Sequence, residues 1–210
     1  MGYIFDTALN DERSRPGRAW FFRNDRYLRY DWAQNLVDAG PSPLTEWGLP
    51  APFDSGVDAA LNSRGWGMRT HFFRGSQYAF HSAPDDKVYG PYPLGDWLPS
   101  NFASGIDTAL NGQGDSVGKA YFFKGDQYIT YDWFNVQIVG GPSPIADWNL
   151  TGAFAKGVHA TLQGDGPAAG WAYFFRGPQY VKYSWSDGQV VGPLHLSDFN
   201  LTGGIGSSAV

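Results

Sequence analysis

Three kinds of side chain in this sequence could do chemistry, and each has a place in a spacing pattern. Asp6, Asp58 and Asp107 recur at steps of 52 and 49, and a further step of 52 lands on His159. The other histidines are His71, His81 and His195, of which His71 and His81 lie close enough in sequence to flank one hairpin. Such a pair could approach across two strands and offer imidazole nitrogens to a metal or an axial ligand to haem. Trp32, Trp133 and Trp185 close three copies of a Tyr-Asp-Trp or Tyr-Ser-Trp triplet. Their faces could stack on sugar rings, with Asp31 and Asp132 accepting hydroxyl hydrogen bonds. There is no cysteine, so disulfides, thiolate metal sites and cysteine nucleophiles are excluded. No nucleophile elbow, phosphate loop or His-Glu-x-x-His run occurs, and the carboxylates follow the repeat without converging on one cleft, which points away from an enzyme.

The elements that position these residues repeat four times. Asp6-Thr7-Ala8-Leu9-Asn10 returns as 58–62, as 107–111 and, altered, as His159-Ala160-Thr161-Leu162-Gln163. Phe-Phe pairs fall at 21/22, 72/73, 122/123 and 174/175, and a tyrosine follows each at 27, 78, 128 and 180. Trp47, Trp97, Trp148 and Phe199 form a third series in the same order. Each unit reads as a short apolar strand, an aromatic strand covered on both faces, a two-residue turn and a third strand, with a short fourth strand before Gly-Pro. Gly-Pro-Ser-Pro at 40–43 and 141–144 predicts a short helical turn with Ser42 or Ser143 as N-cap and proline at the first helical position. The following tryptophan is expected to pack one sheet on the next.

Four sheets that must bury their faces on one another predict an all-β fold closed as a four-bladed propeller, with one short helical turn per blade. The units run over about 3–52, 53–101, 102–153 and 154–201 within a single domain of 210 residues, and 202–210 forms a tail. The order Phe-x-Ser-Gly-[Ile/Val]-Asp, Tyr-Phe-Phe-Lys-Gly-Asp-Gln-Tyr and Gly-Pro resembles the hemopexin repeat. It is most similar in style to free-standing members such as plant albumin-2-type and microbial hemopexin-like proteins. First strands meeting at the axis turn carbonyl oxygens inward, and hard oxygen ligands suit Ca²⁺ or Na⁺. The resemblance implies one ring of main-chain carbonyls at Asp6, Asp58, Asp107 and His159, and a second at Ala8, Ala60, Ala109 and Thr161. The aspartate side chains could equally serve backbone donors at the strand start.

The second unit departs most from the others: Phe80-His81-Ser82 stands for the Tyr-Asp-Trp triplet, and Pro84-Asp85-Asp86-Lys87 reads as an acidic insert. A private function would sit there. A net charge of −5 argues against nucleic acid, and no apolar run is long enough for a membrane span. Without a visible export signal, the cytoplasm is the default compartment. The expected function is a non-catalytic module with axial cations that binds a small ligand of the haem or polyamine class, or a protein, as monomer or homodimer. The alternative is a carbohydrate-binding, lectin-like defence protein.

Overall fold

The computed structural model describes residues 5–12, 15–64 and 67–201; the expected tail at 202–210 lies outside them. Among the described residues sixteen strands build four antiparallel sheets. The first sheet holds β1 (Thr7–Asn10), β2 (Arg18–Arg23), β3 (Arg26–Asp31) and β4 (Leu36–Pro43). The second holds β5 (Ala59–Asn62), β6 (Arg69–Arg74), β7 (Gln77–Ser82) and β8 (Lys87–Pro93). Then come β9 (Thr108–Asn111), β10 (Lys119–Lys124), β11 (Gln127–Asp132) and β12 (Gln137–Pro144). The last sheet holds β13 (Ala160–Gln163), β14 (Trp171–Arg176), β15 (Gln179–Ser184) and β16 (Val190–His195). Strands lie in chain order in every sheet, each paired with its sequence neighbour. The innermost strands touch in a closed circuit, β1 to β5 to β9 to β13 and back to β1, which makes the four sheets the blades of a propeller.

The Phe-Phe pairs show why this sequence closes. Neighbouring residues of a strand point to opposite faces, so each pair serves two seams at once. Phe21 joins the cluster between the fourth and first blades, and Phe22 the cluster between the first and second. Phe72 and Phe73, Phe122 and Phe123, and Phe174 and Phe175 divide in the same way. All eight rings are at most 1% exposed. Burial of each contributes roughly 1.5–3 kcal/mol, and the seams hold most of the apolar core.

The blade-end turns are short 3₁₀ segments, Leu44–Trp47, Leu94–Asp96, Ile145–Trp148 and Leu196–Asp198. Ser42 and Ser143 do not cap them: both belong to the fourth strands, and Pro43 and Pro144 occupy the cap position without a side-chain bond. Leucine or isoleucine opens each turn fully buried, so side-chain anchoring holds the turn in place of capping. Just upstream, Gly40 sits at φ +97°, where a Cβ would lie 2.9 Å from the Leu28 backbone, so a side chain there would push β4 off β3.

Pairing registers revise the reading of the second blade. Ala19 faces Tyr30, and Thr70 faces His81, so His81 occupies the tyrosine position, Ser82 the aspartate position and Ala83 the tryptophan position. The turn from Ser82 to Lys87 spans as many residues as that from Asp31 to Leu36, so 84–87 is a substituted turn and no insert.

Candidate functional site

Strand parity fixes which groups face the axis. On the first strands the carbonyls of Asn10, Asn62 and Gln163 accept bonds from neighbouring blades, as does that of Ala109 two residues before Asn111. Asp6, Asp58, Asp107 and His159 stand just before the first strands, and their N–H groups donate to the Phe22, Phe73, Phe123 and Phe175 carbonyls of the second strands. These four residues line one basin at an end of the axis, about 570 Å³ in volume. The aspartate carboxylates are engaged in holding the turns between second and third strands: Asp6 accepts the N–H of Asn24, Asp58 that of Gly75 and Asp107 that of Gly125, each at 2.7 Å. They add negative charge beside the ring while fixing the strand start.

Basic side chains share the basin. Lys124, Lys156 and Arg176 line it, and Arg176 donates to the Gly157 carbonyl. Arg74 donates to Gly56 at 2.7 Å and Lys124 to Asn101 at 2.9 Å. The residue after each Phe-Phe pair is basic in every repeat, Arg23, Arg74, Lys124 and Arg176, so the signal was present in the sequence. His159 is held mostly neutral: desolvation, aided by the Arg176 charge, pushes its pKa down to about 4. The fourth blade thus brings a neutral ring where its siblings bring carboxylates.

Ala8, Ala60, Ala109 and Thr161 also come together, deeper on the axis, around a space of only about 20 Å³. Here one carbonyl is shared with a side chain. Thr161 donates its hydroxyl to the Ala109 carbonyl at 2.9 Å, and its own N–H donates to Thr108 Oγ1 at 2.9 Å. One of the four carbonyls therefore already accepts one hydrogen bond. Beyond it an amide belt closes the axis: Asn10 donates to the Gln163 carbonyl, Asn62 to Asn10 and Asn111 to Asn62, at 2.7–2.9 Å. The belt lacks one link, because neither polar atom of the Gln163 side chain finds a partner. The first-ring residues share the basin, and among the described residues no three His, Asp or Glu side chains gather in ligand geometry.

The tryptophans are not sugar platforms. Trp32 is 6% and Trp133 4% exposed, their indole N–H groups donating to Asn10 and Asn111 at 2.9 Å. Each wedges into the seam with the preceding blade, Trp32 against Tyr173 and Trp133 against Trp97. Trp185 is partly buried against Trp148 and Tyr121. His71 and His81 do not meet either. His71 pairs with Phe80 while Thr70 pairs with His81, which puts the two imidazoles on opposite faces of the sheet. His71 is buried against Trp97 and Trp133, and His81 faces Trp47 and binds Asp86 at 2.9 Å. No shared metal or haem site exists between them.

Residues 5–51, the first blade, match the hemopexin family model. The other three blades repeat its motifs and its strand order. The chain is a four-bladed propeller whose first blade carries a hemopexin repeat. Among solved structures, a plant albumin from Cicer arietinum described as showing hemagglutination superposes with a TM-score of 0.78, 23% identity and coverage of 95% of this chain and 96% of that one. The hemopexin fold protein CP4 from cow pea gives 0.78, 22%, 94% and 96%. A plant lectin with two metal binding sites, also from Cicer arietinum, gives 0.76, 24%, 94% and 95%. At these identities the likeness establishes the fold. A search of curated proteins returns no significant match. No helix among the described residues is long and apolar enough to cross a membrane.

Proposed function

We propose that this hemopexin-like propeller is a non-catalytic binding module whose axis holds one hard cation, Ca²⁺ or Na⁺, at the outer ring. The observation that carries the reading is the convergence of Asp6, Asp58, Asp107 and His159, one from each blade, on one basin at the end of the axis. The cation would tie all four blades at one point and give the basin a positive centre for an anionic group of a ligand or protein. Replacement of one aspartate by His159 reduces the negative field, so affinity for a divalent ion should be modest. Thermal melting in Ca²⁺, in Na⁺ and in chelator tests it. A rise in Tm with either ion supports the site; a Tm indifferent to both removes it.

A glycan-binding reading is favoured by a different surface. On the outer edge of the second blade Phe80 stacks with Tyr89 at 5.2 Å and with Tyr92 at 6.2 Å, and the two tyrosines are 37% and 38% exposed. Arg69 covers Phe80 at 4.5 Å, and Asp85 accepts from the Tyr89 hydroxyl. Exposed stacked rings beside a polar group suit sugar faces. The Cicer arietinum structures described as a hemagglutinating albumin and a lectin lend it weight. A glycan array on the parent and on a Tyr89→Ala, Tyr92→Ala double variant tests it: sugar binding lost in the variant supports it, and no sugar bound by the parent ends it.

A further inference from the structure

Three seams of the propeller are filled by a tryptophan from the following blade, and the fourth is not. Trp32, Trp133 and Trp185 enter the fourth–first, second–third and third–fourth seams. In the first–second seam the equivalent position is Ala83, and a cavity of about 260 Å³ lies there. Trp20 and Trp47 form its aromatic wall, edge to face at 5.7 Å, as Tyr173 with Phe199 and Tyr121 with Trp148 do in two other seams. The vacancy is therefore the seat that this fold otherwise gives to an indole.

A second substitution matches the first. Asn10 and Asn111 accept the indole N–H of Trp32 and Trp133, whereas Asn62 accepts the hydroxyl of Thr70 at 2.9 Å. The other blades have alanine where Thr70 stands, at 19, 120 and 172. Thr70 thus satisfies the buried amide without the indole, and the blade stays hydrogen-bonded around an open seat.

Charge around the seat selects among aromatic occupants. Asp11, Glu12 and Asp86 line it together with His81. Glu12 is paired with Arg64 at 2.7 Å and Asp86 with His81 at 2.9 Å. An adjoining cleft shares Trp47, His81 and Asp86 and adds Glu46. Asp11, Glu12, Asp86 and Glu46 thus set four carboxylates around the seat and its rim, beside the cationic Arg64 and Lys87, and electron-rich ring faces attract cations.

We infer that the seam between the first and second blades is a binding site for a small aromatic cation, an aryl ring occupying the indole seat left by Ala83 and its ammonium group lying among the rim carboxylates. The site needs no axial cation and stands or falls apart from the tunnel reading.

Isothermal calorimetry of the full chain with tryptamine tests it, with indole-3-acetate as the anionic comparator. Tryptamine should bind, indole-3-acetate about tenfold or more weaker, and Ala83→Trp should abolish tryptamine binding while leaving the Ca²⁺ response of the Tm unchanged. Ala83→Phe, a smaller filler, should weaken binding if the larger ring disturbs folding. No tryptamine binding at about 1 mM would overturn the site, as would unchanged binding in both filled variants. Equal binding of the two ligands would overturn the cationic selectivity.

Discussion

Thr161 donates its hydroxyl hydrogen to the carbonyl oxygen of Ala109 across the seam between the third and fourth blades. Alanine occupies the Thr161 position in the other three blades, so this cross-seam bond belongs to the fourth blade alone among the described residues. Thr161→Ala would free the Ala109 carbonyl and remove the hydroxyl that Thr108 Oγ1 contacts at 2.9 Å, while Thr108 keeps accepting the residue-161 N–H. Stability should fall by about 1–2 kcal/mol in denaturant titration. Calcium or sodium stoichiometry, read by calorimetry, should rise relative to the parent; an unchanged count would show that the threonine does not keep a cation out.

Gln163 offers the opposite experiment. Asparagine at the other three belt positions reaches a neighbouring carbonyl, while the longer glutamine leaves both its polar atoms and the Trp185 indole N–H unmatched. Gln163→Asn should complete the belt by donating to the Asn111 carbonyl and accepting from Trp185. The expected gain is about 1 kcal/mol, seen as a higher urea midpoint with an unchanged m-value.

His159 makes stability depend on acid. Its folded pKa of about 4 lies below the ordinary 6.5 because burial, helped by Arg176, disfavours the imidazolium. The unfolded chain therefore binds the proton first as pH falls. The stability that the neutral ring contributes is complete above about pH 6.5 and is lost between there and about pH 4. Unfolding free energy of the parent should drop more steeply over this window than that of His159→Asn; parallel curves would rule the histidine out.

Phe122 is fully buried and packs edge to face on Phe73 across the second–third seam at 5.8 Å. Phe122→Ala should cost roughly 3–5 kcal/mol, with Leu at the same position costing less. Chemical denaturation measures both.

The fold was legible because propeller closure is written in spacing: the Phe-Phe pairs, the first-strand motif and the blade-end tryptophans each recur four times or nearly so. The gathering of Asp6, Asp58, Asp107 and His159 on one basin was legible for the same reason, since their grouping follows from the repeat. Side-chain sites were read less well. Trp32 and Trp133 look alike in sequence whether they point to solvent or into a seam, and only the buried asparagine partners separate the two. His71 and His81 differ by an even number of residues but lie on paired strands, so their faces depend on the hairpin register and not on their separation. The empty seat at Ala83 was hidden by a one-residue misalignment of the triplet, which the pairing of Thr70 with His81 resolves.

Each phenylalanine pair reaches into two seams, so no blade owns a core of its own. A blade that detached would expose apolar faces on both neighbours as well as on itself, and the remaining three could not close without it. The molecule therefore has no inexpensive partly folded form, and its blades gain or lose their structure as a single cooperative unit.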